Sequence, residues 1–396
     1  MCIVTRQAGM ARLLLASALL LLQGVGCTGA DSDLLPGGVP TFAGIVDLEF
    51  GETEGDEPYL FTRVESIVED PTGRILVADM QSHEVRVFDS QGRFLFRFGG
   101  EGEGPGELTG PCCLAFGPDG VLWVRESTRY SAFQIDAAGA RYDRGLRIAH
   151  GGVGMVAPVT FDAEGRLVDV GTLTSPEGEA VTARFHRESD GSVDTVAMAD
   201  PDRQATGSTA VSRTFRDMQM SFFVRQPFGP RWVHGHGSGG AWAEAITSEY
   251  SVDVHRPDGT MLRIERSQLR GPPLSRDERA RAAALVDRDL RRLDLSNHPF
   301  GIPERKPALA DLFFDRSDRL WVEKTPADGD ELREADVYEG AELVARYRWP
   351  AGVRVGGVPW VTESLLYGTT RDSLDVQRVV RVRFHPASEA GASSRH

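Results

Sequence analysis

Between Phe61 and Asp136 the chain alternates short apolar runs with polar turns, twice in the same order. The run at 64–68 is apolar at Val64, Ile67 and Val68 and the run at 112–116 is apolar throughout, and each leads into a turn, Asp70-Pro71-Thr72-Gly73 or Gly117-Pro118-Asp119-Gly120. A second apolar run follows, at 75–77 and 121–124, and ends at an acid, Asp79 or Glu126. A third run, alternating, at 85–88 and 132–135, closes on Asp-x-x-Gly, at 89–92 and 136–139. Short runs rich in Val, Ile, Phe and Trp, bounded by Gly, Pro and Asp, predict strands. Gly73, Gly92, Gly120 and Gly139 stand where tight hairpins need positive φ. A four-stranded unit repeated at a spacing of about 45 residues predicts a propeller blade. One blade cannot bury both of its faces, so several must stack around an axis.

The later repeats are looser. Blade three is expected over 156–198, and the polar stretch 199–212 reads as a surface loop. Blade four starts at Phe222-Phe223-Val224 and runs through 232–234, 241–244, 250–255 and 261–264; blades five and six cover 309–349 and 353–384. Residues 45–50 alternate but have no blade of their own, so they are expected to complete the last blade and close the ring. One helix interrupts the pattern. Ser275 and Glu278 form a Ser-x-x-Glu capping box, Ala282, Val286, Leu290 and Leu293 recur at helical spacing, and Asn297-His298-Pro299 stops it. This insertion reads either as a packing cap or as a lid over the central channel. The resulting plan is a leader at 1–26, a tether at 27–42, an all-β six-bladed propeller at 43–385 with the helical insertion at 272–298, and a disordered tail at 386–396.

The segments Val77-Ala78-Asp79 and Val85-Arg86-Val87-Phe88-Asp89, with the Gly-rich stretch 99–108, resemble NHL repeats. The whole chain resembles the bacterial six-bladed β-propeller lipoproteins related to that family. The resemblance implies the fold and little about the task, because one propeller serves many chemistries.

The 396 residues carry a formal charge of −14, which disfavours a polyphosphate partner, so no nucleic acid is expected. Near the N-terminus, Arg12 precedes a short apolar run at 13–22, with the length of a signal-peptide core and too short to span a bilayer. Gly24-Val25-Gly26-Cys27 resembles a lipobox, which implies lipidation of Cys27 and an outer-membrane lipoprotein; cleavage to a soluble exported protein is the other outcome. Lys occurs only at 306 and 324 and Asn only at 297, a bias of composition.

Four sets of residues are candidates for function. Asp79, Glu126, Glu244 and Glu323 end second strands and would form a carboxylate ring, suited to a hard cation or to local capping. His234 and His236 stand two apart, on one face of an extended segment; they would begin a zinc site, which needs three or four ligands. Cys112 and Cys113 are adjacent and form either a vicinal disulfide or two thiols on opposite strand faces. Tyr130, Phe228, Trp232 and Trp360 are aromatic contact candidates, the type that dominates binding hot spots. Nothing resembles a Gly-x-Ser-x-Gly elbow or a phosphate loop. The lactonase-type propellers need several Asn, which this chain lacks. The zinc-dependent lyases among NHL-like propellers draw His ligands from several blades, and His83, His150, His186, His255 and His298 match none of their motifs. The sequence is therefore read as a non-catalytic binding module at the cell envelope, for a protein, peptide or glycan, with no cofactor. The alternative is a metal-dependent hydrolase or lyase with a divalent ion in the channel.

Overall fold

The computed structural model describes residues 38–148, 159–174, 180–188, 191–198, 205–215, 218–357 and 359–387. The leader, Cys27, most of the tether and most of the tail lie outside the described residues. Four blades are separate four-stranded antiparallel sheets, in simple meander order. Their inner strands are Val64–Glu69, Cys113–Phe116, Val159–Phe161 and Trp232–His236. Blade five begins at Leu309–Phe314.

Blade six is assembled from both ends of the propeller. Its inner stretch is held by two isolated bridges, Arg354 to Thr369 and Val361 to Leu366. The strands Leu365–Arg371 and Gln377–Pro386 follow. The outer place is taken by β1 (Thr41–Phe50), antiparallel to Gln377–Pro386 with a bulge between Val46 and Leu48. The first residues of β1 also pair parallel with Arg346, Tyr347 and Arg348 of blade five, which joins blades five and six into one seven-stranded sheet. The alternating run at 45–50 is thus the closing strand. It starts earlier than the alternation suggests, because Thr41 and Phe42, assigned above to the tether, already pair.

The hairpin turns put φ > 0 where the sequence places Gly: Gly73, Gly92, Gly120 and Gly139 all have positive φ. The Asp residues accept from the backbone of the same turn. Asp70 Oδ1 takes Thr72 N at 2.8 Å and Arg74 N at 3.0 Å, and Asp315 repeats this with Ser317 and Arg319. This Asx geometry explains the Asp-x-x-Gly punctuation.

Two insertions leave the crossover end of the propeller, where one blade passes to the next. The first corrects the sequence reading. Ser208–Phe215 and Met218–Arg225 form a separate two-stranded sheet between blades three and four. The expected loop at 199–212 is therefore partly strand, and Phe222-Phe223-Val224 belong to this hairpin; blade four begins at Trp232. The second insertion carries α1 (Arg276–Leu293), N-capped by Ser275 with the complete capping box and ended by Asp294 in the left-handed region, before Asn297-His298-Pro299. Glu278 is buried against Lys306, Nζ to Oε1 2.7 Å. Ala282 and Leu293 bury the face read from the spacing, with Val286 and Leu290 half-buried.

Among the described residues each seam between neighbouring blades has its own apolar cluster. Val68, Leu114 and Phe133 represent blades one and two, Val252, Leu312 and Val322 blades four and five, and Trp321, Tyr347 and Val382 blades five and six. The seam between blades three and four is the smallest cluster, with Val170, Met198 and Trp242 beside a half-buried Trp232. Polar groups fill the rest of it.

Candidate functional site

The six inner strands enclose a cavity of about 460 Å³. One residue from each blade shows the ring: Val68, Leu114, Phe161, His236, Phe314 and Trp360. Turn residues Pro71, Pro118, Asp162, Ser238 and Asp315 also line it, so it lies toward the turn end of the channel, opposite the two insertions. Its wall is mostly apolar, with a few convergent polar groups, as ligand sites usually are.

His234 and His236 form one side of this wall. Their common strand face follows from the two-residue period, and His234 Nδ1 lies 2.9 Å from His236 Nε2. Gly235 separates them because the inner strand of blade five comes too close for a side chain: a Cβ there would stand 3.0 Å from Leu312 O and from Phe313 Cα. Burial lowers the pKa of both imidazoles, and the Arg184 guanidinium lowers it further; for His236 the neighbouring His234 adds to the effect. Arg184 reaches across from blade three, stacks over Trp242 at 5.7 Å and donates to Gly240 O at 3.2 Å. Its own pKa falls to about 10, because burial outweighs its attraction to Asp162. The lowered pKa favours the neutral form of both imidazoles, which donates and accepts hydrogen bonds.

The four carboxylates do not make a ring at one level. Counted from the turn residue with positive φ, Asp79 follows Gly73 by six positions and Glu126 follows Gly120 by six, but Glu323 follows Asp318 by five and Glu244 follows Gly240 by four. The pairing agrees: Ser66 opposes Ala78 in blade one where Asp311 opposes Glu323 in blade five. A shift of one residue turns a side chain to the other face of its strand. Each acid is also engaged locally. Asp79 accepts from Thr62 N at 2.9 Å and Arg63 N at 2.8 Å; Glu126 accepts from Thr109 N at 2.6 Å and Ser131 Oγ at 2.8 Å and pairs with Arg129. Glu323 pairs with Arg333. Glu244 takes Trp232 Nε1 at 2.9 Å and lies 3.0 Å from His255 Nε2. Among the described residues no group of three or more His, Cys, Asp or Glu is placed to hold a metal ion. The cation ring and the zinc reading of His234 and His236 thus lack their geometry.

Of the aromatic candidates, only Trp360 lines the channel. Tyr130 is fully buried, donates to Asp169 and lies under Arg187, so it is a seam residue between blades two and three and not a contact surface. Phe228 and Trp232 line a different cavity at the crossover end. Cys112 and Cys113 are joined as a vicinal disulfide, both buried, where the inner strand of blade two begins.

Asp311 was not found from the sequence. It stands on the inner strand of blade five and opposes Glu323. Burial raises the pKa of both, with Arg333 opposing the rise at Glu323 most strongly. The signal was present as an acid inside the otherwise apolar run at 309–314.

The family model DUF5128, a 6-bladed beta-propeller, matches residues 41–111, which are β1 and the whole of blade one. No curated protein matches. Among solved structures the chain is similar to virginiamycin B lyase from Staphylococcus aureus, with 9% identity and a TM-score of 0.42 over 86% of this chain and 99% of that one. It is similar to the PQQ-bound aldose sugar dehydrogenase from Streptomyces coelicolor, with 10% identity and a TM-score of 0.45 over 87% and 98%. It is also similar to regucalcin, a calcium-binding protein from Agrobacterium tumefaciens, with 11% identity and a TM-score of 0.41 over 87% and 96%. Among the described residues no helix is long and apolar enough to cross a membrane. By its repeat, its strand order and the family model over its first blade, the chain is a six-bladed β-propeller.

Proposed function

We propose that this chain is an exported propeller, anchored through a lipid on Cys27, that binds a partner at the cell envelope without transforming it. The observation that carries this reading is the channel cavity. It is lined from all six blades, walled mainly by apolar side chains, and offers the imidazoles of His234 and His236 among its polar groups, with Asp162, Ser238 and Asp315. Such a wall suits one end of a peptide, or a sugar unit, with an apolar body and a polar group to meet His234 or His236. The metal-dependent alternative would need a third ligand beside the histidines. The apolar run at 13–22 within the leader and the Gly-Val-Gly-Cys segment support export and anchoring.

A photo-crosslinking residue in place of Thr160, which lines the cavity, tests this in intact envelopes. Adducts should form there and be absent when the same probe replaces the exposed Leu95 on an outer strand. Equal labelling at both positions, or none at Thr160, would remove the channel as the binding site.

A further inference from the structure

At the crossover end, beside the hairpin Ser208–Phe215 and Met218–Arg225, a second cavity of about 600 Å³ is lined by Phe223, Phe228, Trp232, Arg225 and Arg231, with no acidic side chain in its wall. Three features make it a built site.

The first is backbone strain. Residues 226–229 form a turn closed by Gly229 N donating to Gln226 O at 2.9 Å, with Pro227 in its second place. The third place, which in a turn of this sign is normally Gly or Asn, is Phe228, at φ +54°. A bulky residue persists in the left-handed region only where its surroundings force it, and such positions cluster at functional sites. Here Gln226 N donates to Gly207 O at 2.8 Å and Gln226 Nε2 to Gly301 O at 2.9 Å, which pins the turn to the hairpin base and to the segment after α1.

The second is charge. In a chain of net −14, Arg225 is exposed and Arg231 donates to the carbonyl of Ala310 at 2.6 Å. Neither makes a direct ion pair among the described residues, although Arg231 is near enough to act on the buried Asp311 and Glu323. The third is the aromatic surface. Phe223 is 60% exposed, and Trp232 is held in place by its bond to Glu244.

We infer that this cavity binds an acidic oligosaccharide, with the carboxylates of uronate rings on Arg225 and Arg231 and the apolar faces of the rings on Phe228 and Trp232. Guanidinium forks match carboxylates in bidentate geometry. A polyphosphate, with its dense charge, would be repelled by the acidic remainder of the chain; a chain with one carboxylate per ring is less so. An acidic peptide would want closed apolar pockets for its side chains, whereas here Phe223 lies open to water beside the half-buried Phe228 and Trp232. This site is separate from the channel and stands or falls without it.

The test titrates the full mature chain with oligogalacturonate, with its methyl ester as the uncharged match, with an alginate oligomer, and with a Glu-Phe repeat peptide. We expect at least one of the two uronates to bind, the ester to bind at least tenfold more weakly than the tighter of the two, and the peptide no better than the ester. Phe228→Gly should raise the melting temperature, because it removes the strain, and yet weaken uronate binding about tenfold, a loss of about 1.4 kcal/mol; a purely structural role would not separate the two effects. Arg225→Gln with Arg231→Gln should weaken binding and flatten its salt dependence. No binding of either uronate, equal affinity for the ester, tighter binding of the peptide, or unchanged affinity in Phe228→Gly would each overturn the assignment.

Discussion

His234 and His236 share a hydrogen bond of 2.9 Å along one face of the inner strand of blade four. They sit at the seam whose apolar cluster is the smallest among the described residues, where blade three contributes Arg184, His186 and Asp162 and blade four contributes Trp242, Glu244 and His255. The pair therefore couples the channel wall to the stability of the ring.

The coupling has a sign. Burial first holds both imidazoles below their ordinary pKa in the folded state, followed by Arg184 at His234 and by His234 and then Arg184 at His236. Above the unfolded value of about 6.5 neither state is protonated and the seam is fully stable. As the pH falls below that value, the unfolded chain takes protons that the folded chain refuses, at a cost of up to about 1.4 kcal/mol per pH unit for each histidine. Urea unfolding between pH 7.5 and 5.5 should show this slope, and it should shrink in the double variant His234→Gln, His236→Gln. An equal slope in the variant would place the titration elsewhere.

The helical insertion hangs on one buried ion pair. Glu278 closes the capping box by accepting from Ser275 N at 3.0 Å and also holds Lys306 at 2.7 Å. Lys306→Ala leaves the buried carboxylate without its counter-charge and should cost about 3–5 kcal/mol, whereas Ser275→Ala removes the cap and an exposed hydrogen bond to Asp328 and should cost about 1 kcal/mol. Denaturant titrations check the order. Equal losses would mean that Glu278 does not depend on Lys306.

The closing strand is equally specific. A Cβ on Gly44 of β1 would stand 2.5 Å from Val382 Cγ1 and 3.0 Å from the carbonyl oxygen of Arg348, a backbone atom that cannot swing away. Gly44→Val should destabilise the propeller by about 1–3 kcal/mol and expose β1 to proteolysis before any other blade. An unchanged melt and an unchanged digestion pattern would show that closure tolerates the side chain.

The blades were legible because each turn announces itself chemically: Asp accepts from the backbone of its own turn, and Gly73 or Gly120 supplies the positive φ. The closing strand was legible as an alternating run with no blade. The hairpin at 208–225 was not, because a two-stranded sheet outside the blades need not bury a face, and Ser208, Thr209, Ser212 and Thr214 lack the apolar pattern that marks a strand. The four acids looked equivalent by their place at strand ends, but register is set by distance from the turn, and Glu244 and Glu323 fall short of it. His234 and His236 could be paired from their spacing alone. Arg184 and the company of Phe228 could not, because their neighbours come from other blades or from the hairpin.

The claim at the centre of this account is that the channel binds a partner and is not a metal centre. Thermal melts of the mature chain with chelator, and then with saturating zinc or calcium, test it most directly. A metal held at a hundred times its dissociation constant would add about 2.7 kcal/mol, a rise of about a degree or two for a chain of this size. The account predicts the same melting temperature in all three conditions. A reproducible rise with either metal, lost in His234→Ala, His236→Ala, would contradict it and make the two imidazoles the start of a catalytic site.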